Sequence, residues 1–136
     1  MMQFKNILFP INLDSKNLDY LVKVVELASF FGGRLHFLYV NDEQAGYRHP
    51  TDREDAVALK VKSIVQESLL SNLDVIYATA KGDLGKEIAA YCREKNIDLI
   101  IAGHKHRGKL YGALFDSPDV NIIDAVNVPV LLIPKE

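Results

Sequence analysis

The sequence predicts an α/β fold: a five-stranded parallel sheet flanked by four helices. Three observations predict it. Short apolar runs of strand length alternate with longer segments of helical period along the 136 residues. The first of these runs, Ile7–Ile11, is apolar nearly throughout, as a strand buried on both faces must be. Glycine, aspartate and Ser-Pro punctuate the boundaries where helices would start or stop.

Taken in order, Ile7–Ile11 ("ILFPI") is the first strand. Asp14 or Ser15 is placed to cap a helix from about Lys16 to Phe31, with Leu18, Leu21, Val22, Val25 and Ala28 on one face. Gly32-Gly33 ends that helix and Arg34–Val40 ("RLHFLYV") is the second strand. Residues 41–52 form a polar loop long enough to be functional or mobile. A helix from about Arg53 to Leu70 follows, stopped by Ser71-Asn72, and Val75–Thr79 is the third strand. Gly82-Asp83 turns the chain and caps a helix from about Leu84 to Lys95. Leu99–Ala102 is the fourth strand, which breaks at Gly103 into a loop. Ser117-Pro118 reads as N-cap and first position of a last helix, running to about Ala125. Val128–Ile133 is the fifth strand. In such sheets ligands sit beyond the carboxyl ends of the strands, where strand order reverses. Residues 10–15, 40–50, 80–85 and 103–117 should share that edge.

The length suits one domain, 1–136, with a core of its own. A hydrophobic share of 49% with 25% charged residues is that of a globular chain. Apolar runs such as Val128–Ile133 are too short to cross a membrane. No cleavage site precedes the first strand, so no signal peptide is expected. The single cysteine, Cys92, excludes an internal disulfide framework and fits the cytoplasm. A net charge of −2 argues against a general nucleic-acid role. Only Lys105, Arg107 and Lys109 would form a local basic patch.

Three segments carry a family resemblance: "ILFPIN" at 7–12, "KGDLGKEIAAYCREKNIDLIIAGHKH" at 81–106, and "DSPDVNIIDAVNVPVLLIP" at 116–134. Together they resemble the universal stress protein family, in the same order and over essentially the whole chain. The resemblance implies a Rossmann-like fold of the adenine nucleotide alpha hydrolase type. Nucleotide-binding members show Gly, two residues, Gly, nine residues, then Gly followed by Ser or Thr. Here Gly103, His106, Asp116 and Ser117 take those positions. The acidic residue that ends the family's first strand is Asn12, and Val40 falls where backbone groups hold adenine. "GDLG" at 82–85 and "AGH" at 102–104 resemble the A-type branch, which lacks the ATP-binding pattern and forms homodimers.

The departures have a physical meaning. Glycines at a phosphate site let backbone N–H groups approach the oxygens, aided by a helix N-terminus. Asp116 just before such a terminus would take those donors itself and repel phosphate. Two like charges about 5 Å apart, at an effective dielectric near 20, repel by roughly 3 kcal/mol before screening. That is on the order of a hundredfold in affinity. His106 adds a Cβ and a ring where close approach is wanted. Lys105, Arg107 and Lys109 pull the other way, so anion binding stays open.

Other patterns carry less. His104 and His106, with His49, lack the further ligands of a metal site, so no metal is expected. Cys92 reads as a small buried filler, with no histidine near in sequence to activate it. A phosphoacceptor receiver would need an Asp at the end of the third strand, and "YATAKG" has none. No Ser-His-Asp arrangement, nucleophile elbow or P-loop spacing occurs. Ser15 and Ser117 read as helix caps, where phosphorylation would gain from the helix dipole.

The last strand is apolar and β-branched, and as an edge strand it would need covering. Pairing with a second copy through Val128–Ile133 covers it, as the family resemblance also implies. The expectation is thus a cytoplasmic, homodimeric stress-response module that is not an enzyme and needs no cofactor. The alternative is a member that uses ATP or a related adenine nucleotide as a switch, with slow hydrolysis. A module for nucleic acid or another anionic partner is a weaker third reading.

Overall fold

A computed structural model describes residues 3–13, 18–42, 54–104 and 124–134. The elements run β1 (Asn6–Pro10), α1 (Leu21–Phe31), β2 (Arg34–Asn41), α2 (Glu54–Lys62), α3 (Glu67–Leu70), β3 (Val75–Lys81), α4 (Leu84–Glu94), β4 (Leu99–His104) and β5 (Val130–Pro134). The strands form one parallel sheet of order β3-β2-β1-β4-β5. The expected α/β architecture holds. Right-handed crossovers place α1, α2 and α3 on one face and α4 on the other.

Side chains alternate accordingly. Phe9 and Phe37 lie opposite each other in register and pack edge to face at 5.9 Å, and Phe9 meets Tyr20 at 5.8 Å. Leu8 and His36, one residue along, face α4, where His36 meets Tyr91. Both faces are therefore covered, and Ile7, Leu8, Phe9, Leu35, Phe37 and Ile100 are fully buried.

Several boundaries differ from expectation. α1 begins at Leu21, after a turn at Asp19 and Tyr20, and Leu21 N donates to Leu18 O. The expected caps Asp14 and Ser15 lie outside the described residues. Of the expected apolar face, Leu18, Leu21, Val25 and Ala28 are buried, with Val24 besides, while Val22 is half-buried. Gly32 ends the helix with φ of 74°, a conformation glycine adopts without strain.

The helix expected over 53–70 is two helices, α2 and α3. At the break Ser63 Oγ donates to Lys60 O at 2.6 Å and Gln66 is extended. The serine offers the backbone a local partner in place of a further helical turn, beside the β-branched Ile64 and Val65. β4 does not stop at Ala102 but runs through Gly103 to His104, paired with Ile133 and Pro134. β5 is displaced likewise, beginning at Val130 rather than Val128. Only Asp124 and Ala125 of the expected last helix are described, and both are helical. No helix among the described residues is long and apolar enough to cross a membrane.

Candidate functional site

Strand order reverses at β1, whose neighbours β2 and β4 belong to opposite halves of the chain. The carboxyl ends of β1 and β4 therefore mark the switch point, where a crevice is expected. Pairing between these strands stops early, at Leu8 and Ile100. β1 goes on along β2, with Ile11 N donating to Leu38 O at 2.9 Å. β4 goes on to His104 with β5 as its partner. The two strands thus part company at their carboxyl ends.

Asn12 follows β1 at this edge and is half-buried, and Val40 lies near the end of β2, fully buried. By strand alternation the Val40 main chain faces the same side as that of Leu38, towards the end of β1. Gly103 stands across the crevice on β4. The structure thus brings Asn12, Val40 and Gly103 to one edge, as the sequence implies. His106, Asp116 and Ser117 lie outside the described residues, as do Lys105, Arg107 and Lys109.

The sequence reading missed Tyr20, the N-cap residue of α1. Its ring reaches from Phe9 on β1, at 5.8 Å between centroids, to Gly103 on β4. A Cβ on Gly103 would lie 2.6 Å from Tyr20 Oη and 2.7 Å from Cε2 and Cζ. The glycine is thus required by packing, whatever else it does. Tyr20 is only 7% exposed, and its hydroxyl has no hydrogen-bond partner among the described residues. Burial pushes its ionisation up to about 12, so it stays a neutral phenol.

The other half of the edge is tied shut. Asp42, just past β2, accepts from Leu84 N at 2.6 Å, and Asp83 accepts from Lys86 N at 3.0 Å. Two carboxylates thus occupy the first donors of α4, which leaves that helix terminus unsuited to an anion. Gly82 N donates to Asn41 O at 3.2 Å and joins the exits of β2 and β3. Asp83 as a cap was legible from its place after glycine; Asp42 was not.

Cys92 is buried as expected, and burial pushes its thiol up to about 11, against Arg93, so it is a thiol and no nucleophile. No cluster of metal-ligating side chains occurs among the described residues. Of the histidines weighed and set aside as metal ligands, His104 ends β4, and His49 and His106 lie outside the described residues.

The chain matches the family model described as the universal stress protein family over residues 3–134. A solved universal stress protein in complex with cAMP is 12% identical with a TM-score of 0.72, covering 99% of this chain and 100% of that one. A universal stress protein from Lactobacillus plantarum is 18% identical with a TM-score of 0.63, covering 98% and 99%. One from Archaeoglobus fulgidus in complex with dAMP is 13% identical with a TM-score of 0.59, covering 96% and 98%. At these identities the likeness is one of fold. Among curated proteins none matches.

Proposed function

This chain belongs to the universal stress protein family, and on that premise we propose a cytoplasmic, homodimeric stress-response module of the A-type branch, without tight ATP binding and without catalysis. The observation that carries this reading is Gly103. It is an in-register strand residue opposite Ile133, with an aromatic ring seated against it. The rest of the nucleotide pattern is weakened too: Asn12 replaces a carboxylate, and His106 and Asp116 replace glycines.

The dimer is supported by β5. It lies at the sheet edge, and Leu131 and Leu132 are 36% and 39% exposed. A two-fold axis at that edge would pair β5 antiparallel with its copy and cover both leucines. The second reading, an adenine nucleotide used as a switch, is favoured by the cAMP and dAMP complexes of similar fold.

One preparation tests both parts. Protein denatured and analysed by chromatography should release no stoichiometric adenine nucleotide, and sedimentation should find a two-chain species. A stoichiometric nucleotide overturns the first part and supports the switch; a concentration-independent monomer overturns the second.

A further inference from the structure

β1 and β4 separate beyond Leu8 and Ile100, and the room between their ends is where a ligand would enter. In this chain the Tyr20 ring spans it from Phe9 to Gly103. A phosphate held at Gly103 would need close access to the glycine main chain, the access a missing Cβ provides. On its Cβ side that access is filled: Oη, Cε2 and Cζ of Tyr20 stand 2.6 to 2.7 Å from where a Cβ would sit, closer than a side chain there could tolerate. Tyr20 is 7% exposed, and among the described residues its ring tip is held by packing.

We propose that Tyr20 is the specificity-determining residue of the switch-point crevice, a ring that closes Gly103 against polyphosphate ligands. The proposal deepens the reading above and rests on it. Exclusion is steric, so it belongs to the bulk of the ring tip, Cε2 and Cζ as well as Oη, and not to the polarity of the hydroxyl. It is also separate from the repulsion by Asp116, which acts through charge.

The test is binding of ATP, by calorimetry, to the unsubstituted protein, Tyr20→Ala and Tyr20→Phe, each also with Asp116→Gly so that the carboxylate cannot mask the effect. In at least one background Tyr20→Ala should bind ATP about tenfold tighter or more than its parent, while Tyr20→Phe stays within about twofold. Should Tyr20→Ala fail to fold, Tyr20→Leu keeps apolar volume beneath the ring and clears its tip. A folded Tyr20→Ala or Tyr20→Leu with its parent's affinity in both backgrounds overturns the proposal. So does a Tyr20→Phe that gains as much as the truncated variant. The proposal is read as a ratio of variant to parent; failure of the underlying reading appears instead as nucleotide bound to the unsubstituted protein.

Discussion

At the amino end of the sheet, His36 lies between Tyr91 Oη at 2.7 Å and Asn6 Oδ1 at 3.1 Å, so each buried polar group has its partner. At the carboxyl end, Tyr20 is as deeply placed, yet its hydroxyl finds no partner among the described residues. The amino end spends its polar groups on the fold: Asp98 likewise accepts from Lys5 N and Asn6 N, both at 2.9 Å. The carboxyl end instead sets an aromatic ring beside the crevice, against Gly103. A site for stability and a site for recognition differ in this way, because a buried group already satisfied has nothing to offer a ligand.

The sharpest way to break the contrast is at His36. His36→Ala opens a cavity and strands Asn6 and Tyr91, and should cost about 3 kcal/mol in urea unfolding. Acid should tell the same story. His36 is held below the usual histidine value mainly by burial, then by Arg34 and Lys95, with Asp74 opposing. The unfolded chain therefore takes up the proton first, at about pH 6.5. The contribution is intact above that pH and is lost as pH falls through the lowered folded value. Tyr91 itself, pushed up to about 12 by burial and the neighbouring Cys92, stays neutral throughout. His36→Gln cannot titrate and should flatten the acid slope of stability below about pH 6.5. An unchanged slope would place the acid sensitivity elsewhere.

A smaller effect separates the two halves of the carboxyl end. Asp42→Ala and Asp83→Ala each remove one carboxylate from the first turn of α4, at about 1 kcal/mol apiece. Hydrogen exchange should rise at the Leu84 amide in the first variant and at the Lys86 amide in the second. Protection retained at Leu84 in Asp42→Ala would mean that this half is not tied shut as described.

Much of this was legible in sequence, and the exceptions share a cause. The strands could be read because burial on both faces leaves them mostly apolar, as in β1 and β2, where Asn6, Arg34, His36 and Asn41 are the polar interruptions. The break between α2 and α3 could not. Val57, Val61 and Val65 continue a spacing of four across it, and all three are buried. At the interruption one serine hydroxyl bonds backwards to Lys60 O, a contact that leaves no mark on the hydrophobic period. At the candidate site, Gly103, Asn12 and Val40 came from the family resemblance, which matched them to positions at the ends of strands. Tyr20 was not found, because nothing local ties the start of α1 to the end of β4. Asp42 was missed similarly, since it caps a helix 42 residues away. What escaped is what only the crossovers bring together.

The weakest test concerns an amino-end contact that resembles the His36 network only in geometry. Arg34 Nε meets Asp74 Oδ2 at 2.7 Å, but the two side chains are 49% and 64% exposed. Water screens such a pair, and fixing two long side chains offsets most of what attraction remains. Arg34→Ala should therefore change stability by less than about 0.5 kcal/mol, and raised salt should shrink even that. The same substitution removes a positive neighbour that depresses His36, so the folded His36 value should rise towards the ordinary one and acid unfolding should move slightly downward in pH, while the stability at neutral pH hardly moves. A large loss at neutral pH would show that the amino end is held by its surface charges as well as by its buried network.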